Sequence, residues 1–253
     1  MAVDTLIFKV GGFILENKLH LENVFTQLKA LNEVDNSIKK IIIIPGGGSK
    51  VNKLRLSFER SEIDNEQAHW EAIEIMDQNA QVIFNDFPNC IMISEFSDLK
   101  RNIESEGSFD IIIFKVYDFL KQNNELPHDW SVTSDSIACY IANKLNLKNC
   151  YLIKNIDGIY SGSGKNLVKE LVISEYAMLR EKNLLFYPSI VENDSNLSDL
   201  KKDNIPIDAN LIRLISEYDM NCIILNGIEN TSRIIEYFQS NNENNKVYTK
   251  LHL

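Results

Sequence analysis

The stretch Ile-Ile-Ile-Ile-Pro-Gly-Gly-Gly-Ser, residues 41–49, decides the fold. Four consecutive β-branched residues predict a strand that is buried on both faces, as in a parallel sheet. Pro45 has no amide hydrogen and is expected to end the strand, and residues 51–60 then predict a helix or a lid-like loop. The glycines expose backbone N–H groups at a helix start. The turn therefore suits an anion such as phosphate, although a tight turn without a ligand has the same sequence.

Composition limits the classes of function. The 253 residues suffice for one large α/β domain or two lobes. The net charge of −10 argues against nucleic acid as a partner but not against a small anionic ligand. The four scattered cysteines predict buried free thiols in a reducing compartment. Because we find no signal pattern and no apolar run that could cross a bilayer, we expect a soluble cytoplasmic protein that does not bind membranes.

Short apolar runs alternate with segments of helical periodicity along the rest of the chain. Predicted strands cover residues 5–10, 41–44, 90–93, 110–116, 150–153, 221–225 and 247–251, with a hairpin-like excursion over 158–173. Predicted helices cover residues 20–34, 65–84, 95–106, 135–145, 174–182, 208–218 and 231–238. We expect residues 13–18 to form a short connector and residues 192–204 to be irregular. This alternation predicts an α/β fold, with helices on both faces of a mainly parallel sheet.

Three predicted strands end in glycine or polar residues, at 11–12, 46–48 and 155–158. Ligands of such sheets bind at the carboxyl ends of the strands, where the topology switches, so these segments should converge. Lys9 lies just before the first of them. It could point into the site and neutralise charge on a phosphoryl group in transfer, or it could simply be a solvated lysine at a strand end.

Other polar residues near predicted strand or helix ends have two interpretations each. Asp135 could cap a helix, orient Lys9 or a metal, or combine these roles. Asp157 and Gly158 could form a turn or contact a nucleotide, and Lys165 could reach phosphates or lie free on the surface. The histidines lack metal-ligand spacing, and the glycines match neither the dinucleotide fingerprint nor the P-loop. No serine lies in a nucleophile elbow.

Together, Lys9-x-Gly-Gly, Gly-Gly-Gly at 46–48, Thr-Ser-Asp at 133–135 and Asp-Gly-Ile-Tyr at 157–160 resemble the amino acid kinase family. That family includes acetylglutamate, aspartate, carbamate, uridylate and isopentenyl phosphate kinases. The resemblance implies a three-layer α/β/α sandwich in one domain, with a phosphoryl-acceptor lobe (1–128) and a nucleotide-binding lobe (129–253). A polar segment at 122–130 marks that boundary. The resemblance also implies ATP and Mg²⁺ as cofactors and a homodimer or larger homo-oligomer.

The resemblance assigns roles to individual residues. Lys9 would bind the transferring phosphoryl group, and Asp135 would position that lysine. The residues that would contact phosphate or the nucleotide are Gly11, Gly12, Gly46, Gly47, Gly48, Ser134, Asp157, Gly158, Tyr160 and Lys165. The residues that would contact the phosphoryl acceptor are Arg55, His69, Trp70 and Thr133. No side chain is assigned as a metal ligand.

Residues 68–78 and 126–135 resemble the archaeal branch that contains (aminomethyl)furanylmethyl phosphate kinase, which makes a diphosphate from a phosphate monoester. Phe13 replaces the serine that usually follows Gly-Gly, and residues 247–250 lack the usual Gly-Thr. Arg213 stands where acetylglutamate kinase has a second lysine, which counts against a carboxylate acceptor. We predict an ATP-dependent kinase of a small anionic acceptor, by preference a phosphate monoester. The alternatives are a kinase acting on a carboxylate and a non-catalytic nucleotide- or anion-binding or storage module.

Overall fold

A computed structural model describes residues 4–105, 107–162, 166–186, 207–239 and 243–253. Its strands are β1 (Asp4–Val10), β2 (Ile38–Pro45), β3 (Ile91–Ile93), β4 (Asp110–Phe114), β5 (Asn149–Lys154), β6 (Ile159–Ser161), β7 (Asn166–Val168), β8 (Glu170–Val172), β9 (Leu185–Phe186), β10 (Asn221–Asn226) and β11 (Thr249–His252). Its helices are α1 (Gly12–Leu15), α2 (Lys18–Val34), α3 (Gly48–Glu59), α4 (Asn65–Asp86), α5 (Phe96–Glu104), α6 (Tyr117–Asn123), α7 (Ser134–Lys144), α8 (Ile173–Glu181), α9 (Ala209–Tyr218) and α10 (Arg233–Gln239). Glu243–Asn245 form one 3-10 turn.

Within these residues one eight-stranded sheet has the order β3-β4-β2-β1-β5-β10-β11-β8. The strands from β3 to β10 pair in parallel, whereas β11 runs antiparallel to β10 and carries β8 at its far side. A small antiparallel sheet has the order β7-β6-β9. Of the predicted excursion over residues 158–173, β6 and β7 belong to this sheet, whereas β8 belongs to the large one. The sheet is continuous across the predicted lobe boundary, because β1 pairs with β2 on one side and β5 on the other.

The four consecutive isoleucines of β2, Ile41–Ile44, are fully buried and alternate between two apolar layers. Ile42 and Ile44 belong to the layer that contains α4 and α7. Ile41 and Ile43 belong to the opposite layer, which contains α2 and α10. A strand covered on both faces has no polar side, which explains the unbroken isoleucine run. The predicted three-layer α/β fold with a mainly parallel sheet is therefore confirmed.

The expectation of a plain connector over residues 13–18 is wrong. The carbonyl of Gly11 accepts hydrogen bonds from the N–H groups of Ile14 (3.0 Å) and Leu15 (3.1 Å), so the chain closes a short helix directly after β1. Residues 51–60 lie mainly in a helix, α3, rather than a loop. Lys165 and the predicted irregular segment 192–204 lie outside the described residues. None of the described helices is both long and apolar enough to cross a membrane.

Thr249 joins the small sheet to the large one, and this contact can be tested. Its buried hydroxyl accepts from the N–H of Ile159 (2.8 Å) and donates to the carbonyl of Val168 (2.6 Å). We expect Thr249→Val to lower the free energy of unfolding by about 2 kcal/mol, because two buried backbone groups lose their partner. Urea denaturation measures this loss. The matched control is Thr26→Val, on the exposed face of α2, which should change stability by less than about 0.5 kcal/mol.

Candidate active site

The carboxyl ends of β1, β2 and β5 lie side by side at the switch point of the sheet. β2, which follows β1 in the chain, pairs with one edge of β1, and β5, which comes later in the chain, pairs with the other edge. In this register Lys9 pairs with Ile44 and with Leu152, so the two glycine turns and the end of β5 meet around it. Ligands of parallel sheets commonly bind at such a position. Of the three segments predicted to converge, residues 11–12 and 46–48 do meet here.

The two glycine turns contact each other through their backbones. A Cβ atom on Gly12 would lie 2.2 Å from the Cα of Gly48. The two turns could therefore not lie this close to each other if residue 12 had a side chain. Gly48 also has a φ of +68°, which favours glycine. The N–H of Ser49 donates to the carboxylate of Glu16, which thereby occupies the start of α3.

The glycine N–H groups divide into two sets. Those of Gly11 and Gly46 donate to the carbonyls of Ile153 (2.9 Å) and Val10 (2.8 Å), so they do not point at a ligand as the resemblance implied. In the described part of the chain we find no hydrogen-bond partner for the N–H groups of Gly12, Gly47 and Gly48. These three remain as donors for an anion.

One buried carboxylate, that of Asp135 at the start of α7, holds two lysines. Its Oδ1 lies 2.8 Å from the Nζ of Lys9, and its Oδ2 lies 2.5 Å from the Nζ of Lys154. All three side chains are largely buried, with 8%, 4% and 13% exposure for Lys9, Asp135 and Lys154. The cluster carries one net positive charge, which suits a site for phosphate groups.

The pKa of Asp135 reflects this environment. Burial by itself raises the pKa of the carboxyl, but Lys154 and Lys9 outweigh burial and lower the pKa to about 2. The pKa of Lys154 is lowered by burial and by the nearby charge of Lys9, against the opposing effect of Asp135. The carboxylate is therefore ionised at neutral pH and orients both ammonium groups.

A second buried carboxylate, Asp208, supports the start of α7. It accepts hydrogen bonds from the hydroxyl (2.6 Å) and N–H (3.1 Å) of Thr133, from the N–H (3.2 Å) and hydroxyl of Ser136, and from the N–H of Leu211 (2.6 Å). Burial, followed by the charge of Asp135, raises its pKa. Asp208 thus joins α7 to α9 and fixes the helix terminus that presents Asp135.

Two cavities open on either side of Lys9. The first, of about 290 Å³, lies between the glycine turns, α3, α4 and the start of α7. Its lining includes Gly12, Phe13, Gly47, Gly48, Arg55, His69, Asp129, Trp130, Thr133 and Ser134. The second, of about 520 Å³, contains Lys154, Asp208 and Arg180 besides Asp135. Four residues line both cavities: Lys9, Arg55, Trp130 and Thr133.

The wall of the first cavity contains a neutral histidine. Burial, and then the neighbouring His128, lower the pKa of His69 to about 4. The rings of His69 and His128 stack with their centroids 4.5 Å apart. At neutral pH His69 therefore contributes hydrogen bonding rather than charge, and the positive charge of this cavity comes from Lys9 and Arg55.

Four described residues that the sequence assigned to the site, Trp70, Asp157, Gly158 and Tyr160, do not line either cavity. Trp70 donates to Glu66 (2.6 Å) and lies under the ammonium group of Lys121, on the outer side of α4. Asp157 accepts from Asn226 and Arg233, at 3.1 Å each. Tyr160 lies in the small sheet and Gly158 packs against Thr249. Lys165 is outside the described residues.

Sequence reasoning missed Lys154, Asp208 and Trp130. A signal for Lys154 was present, since it ends a buried strand before a polar turn, just as Lys9 nearly ends β1. Asp208 stands at the start of the predicted helix over residues 208–218, and in the structure it caps α9. Its contacts to Thr133 and Ser136 link distant parts of the chain and could not be read from local sequence.

The sequence is similar to known proteins. A model of the amino acid kinase family matches residues 98–226. The [5-(aminomethyl)furan-3-yl]methyl phosphate kinase of Methanocaldococcus jannaschii is 28% identical over 248 residues, which cover 97% of this chain and 96% of that protein.

Solved structures share the fold. The UMP kinase of Ureaplasma parvum superposes with a TM-score of 0.63 at 17% identity, covering 99% of each chain. The uridylate kinase of Archaeoglobus fulgidus gives 0.62 at 13% identity, covering 97% of this chain and 99% of that one. At these identities the likeness concerns the fold alone.

The buried Lys–Asp–Lys cluster leads to a stability prediction. Asp135→Asn should lower the free energy of unfolding by about 3–5 kcal/mol, because two buried ammonium groups lose their counter-charge. Urea denaturation at pH 7 measures the change. The matched control is Asp219→Asn, which breaks an exposed pair with Lys148 and should cost less than about 1 kcal/mol. Equal losses of unfolding free energy in the two variants would contradict the prediction that the cluster stabilises the fold.

The same carboxylate predicts a pH dependence. Its folded pKa of about 2 lies below the ordinary value of 3.8, so the folded state is stabilised when the group is ionised. This stabilisation is complete above about pH 4 and should be lost as the pH falls toward 2. Unfolding free energies measured from pH 5 to pH 2 should therefore fall more steeply for the wild type than for Asp135→Asn. Parallel curves would show that Asp135 is not the group responsible.

Proposed function

The chain belongs to the amino acid kinase family, and from this membership we propose that it transfers the γ-phosphoryl group of ATP to a small phosphate monoester, forming a diphosphate. The observation that carries the proposal is the position of Lys9. Its ammonium group lies in the wall shared by two cavities and is oriented by a buried carboxylate. A kinase needs such a charge at the point where donor and acceptor meet.

The two cavities suit two substrates. The first offers Lys9, Arg55 and three glycine N–H donors, and we assign it to the phosphate of the acceptor. The second offers Lys9, Lys154 and Arg180, and we assign it to the phosphates of ATP. The first cavity is lined mainly by residues of the predicted acceptor lobe (1–128), which supports the proposed division of the domain.

The reaction needs positioning and charge more than proton transfer. An oxygen of the acceptor phosphate forms a bond to the γ-phosphorus, the bond from that phosphorus to the β,γ-bridging oxygen breaks, and its electron pair leaves with ADP. A phosphate monoester has a second pKa of about 6 and is mostly a dianion at pH 7, so its attacking oxygen carries no proton. Lys9 and Lys154 would balance the charge that moves between the two cavities.

Magnesium would reach this site with the nucleotide. The described residues contain no group of three or more His, Cys, Asp or Glu side chains that could hold a metal ion. The carboxylates of Asp135 and Asp208 are already engaged by lysines, hydroxyls and N–H groups. This donor set fits an ion held chiefly by the phosphates of ATP, where it would neutralise part of their charge.

The preference for a phosphate over a carboxylate rests on charge and on the archaeal relative. The first cavity has two cationic side chains and three free N–H donors, enough to bind a dianion. The relative that is 28% identical is named as a phosphate kinase. Its own acceptor, [5-(aminomethyl)furan-3-yl]methyl phosphate, is accordingly the first compound to test. Homo-oligomerisation stays a prediction that rests on the family, and a cytoplasmic location stays a prediction that rests on the sequence pattern.

An acceptor screen tests the proposed reaction. The purified protein is incubated with ATP, Mg²⁺ and single acceptors, namely the furanylmethyl phosphate, UMP, N-acetylglutamate and aspartate, and products are followed by ³¹P NMR. We expect diphosphate signals and ADP with a phosphate monoester. Acyl phosphate from a carboxylate would favour the alternative acceptor class. Nucleotide binding without any product would favour a binding or storage module.

Lys9→Ala tests the residue on which the proposal depends. Turnover should fall by roughly 10²- to 10³-fold, because the transferring group loses a preorganised positive charge. The control is Lys18→Ala, whose exposed side chain pairs only loosely with Glu22 and should leave turnover unchanged. Thermal unfolding of both variants checks that the fold is kept. Near-normal turnover of folded Lys9→Ala would remove Lys9 from the mechanism.

A further inference from the structure

The first cavity follows one face of α4 and therefore has two separate ends. The residues of this helix that line it recur at the spacing of a single helical face. They are Asn65, His69, Ala72, Ile73 and Met76. Because each helical residue rises about 1.5 Å, this face extends for about 16 Å. A ligand that lies along it can be recognised by different groups at its two ends.

The end of the cavity near Met76 is the phosphate end. The side chain of Asn79, one turn beyond Met76, donates to the carbonyls of Gly46 (2.7 Å) and Gly47 (3.2 Å), so this part of α4 lies against the second glycine turn. The side chain of Lys9 is here too, because its Cε would lie 3.3 Å from a Cβ atom on Gly46. The acceptor phosphate assigned to Lys9 and the glycine N–H groups therefore belongs at this end.

The opposite end of the cavity contains a carboxylate, that of Asp129. His69 lies ten residues before Asn79, which corresponds to about 15 Å along the helix axis. Burial is the main cause that lowers the pKa of His69, and the negative charge of Asp129 acts against it, so the two side chains are close. Asp129 is exposed and lines the first cavity but not the second, so atoms of an acceptor can reach it.

The Asp129 carboxylate is ionised at neutral pH and lacks a cationic partner. Its Oδ1 accepts from the N–H of Ser131 (2.7 Å), and hydrogen bonds from Ser131, that of the side chain first, lower the pKa of the carboxyl. The charged neighbour that also lowers it is His69, whose own pKa of about 4 leaves it neutral at pH 7. Arg55, in the same cavity, lies over the ring of Trp130 at 4.8 Å. Within the described ranges, no lysine or arginine forms an ion pair with Asp129.

The wall between the two ends is mostly apolar. Ala72, Ile73 and Met76 form it on the side of α4, with Val51 and Val132 from other segments. This surface suits a small ring or a short carbon chain. The carboxylate cannot serve the phosphate group itself, because like charges repel. A cavity that is cationic at one end, apolar in the middle and anionic at the other end matches a ligand with the opposite charges.

We propose that Asp129 determines acceptor specificity by binding a primary ammonium group at the end of the acceptor remote from its phosphate. This inference rests on the proposed kinase function. The acceptor is then a zwitterion, whose phosphate contacts Lys9 and the glycine N–H groups and whose ammonium group donates to the Asp129 carboxylate. Asp129 does not contact the reacting atoms, so it selects the acceptor without taking part in the transfer.

The same carboxylate discriminates against other phosphate monoesters. An acceptor with an anionic group at its far end would bring two like charges together, and an acceptor with an apolar group there would gain no hydrogen bond. Because the side chain is exposed, water screens the ion pair and the preference is moderate. We expect a factor of about ten between an ammonium group and an apolar group of the same size.

The first test compares matched acceptors with the wild-type protein. The probes are the furanylmethyl phosphate of the acceptor screen and two analogues in which a methyl group or a carboxylate replaces its ammonium group. Calorimetry measures their binding without ATP, and ³¹P NMR follows their conversion with ATP and Mg²⁺. The ammonium probe should bind and react about tenfold better than the methyl probe, and the carboxylate probe should be the poorest. Equal binding of all three would overturn the inference.

The second test changes the charge at residue 129. Asp129→Asn keeps an oxygen that can accept from Ser131, so the local turn should be retained. Its KM for the ammonium probe should rise about tenfold with less than about threefold change in kcat, because the ion pair is equally present before and during transfer. Asp129→Lys should reverse the preference and make the carboxylate probe the better acceptor. The matched control is Asp118→Asn, exposed on α6 and outside both cavities, which should leave the preference unchanged.

The outcomes separate this inference from the proposed function. No product with any acceptor would contradict the kinase proposal, whereas the calorimetric preference would still test Asp129. Efficient turnover of UMP in preference to the ammonium probe would confirm a kinase and overturn only the role of Asp129. A lower kcat with an unchanged order of the three probes would show that Asp129 merely supports its own loop, which also overturns the inference. If the variants unfold, the preference of the wild type decides.

Discussion

The structure depends on one electrostatic constraint: two ammonium groups are buried at the sheet edge with a single carboxylate between them. A buried charge is tolerated only if it is paired, so Asp135 must remain ionised and close to both Lys9 and Lys154. This requirement fixes the ends of β1 and β5 relative to the start of α7. The positive charge of this cluster lies where the two cavities meet, and it would attract an anion there.

The sequence was informative wherever local chemistry determines the outcome. Four isoleucines in a row imply burial on both faces, and the alternating layers around Ile41–Ile44 follow from strand geometry alone. Lys9 between two apolar neighbours has to point away from their layer, and it does so. Asp135 after Thr-Ser was a helix start by propensity. The resemblance to a family then supplied what the pattern could not, namely a nucleotide and an acceptor.

The rest depended on contacts between distant segments. Lys154 looks like any lysine at a strand end until the pairing of β1 with β5 brings it to Asp135. Trp130 lies in a polar segment that marked a lobe boundary, and it is half-buried in the structure, where Arg55 and Phe58 of α3 contact its ring. The N–H groups of Gly11 and Gly46 seemed available, but neighbouring strands use them. Sheet register decides the positions of Lys154, Gly11 and Gly46, and helix packing decides that of Trp130; neither is a local property of the sequence.

The contact between Glu16 and Ser49 has a consequence for what the site can hold. A helix beginning after Gly-Gly-Gly would ordinarily attract any nearby anion, but here a side chain of the protein takes that place. Because Glu16 takes the N–H of Ser49, an anion in the first cavity is left with the N–H groups of Gly12, Gly47 and Gly48 and the ammonium group of Lys9. The carboxylate of Glu16 thus blocks one N–H donor at this helix start and limits the positions at which a phosphate group can bind.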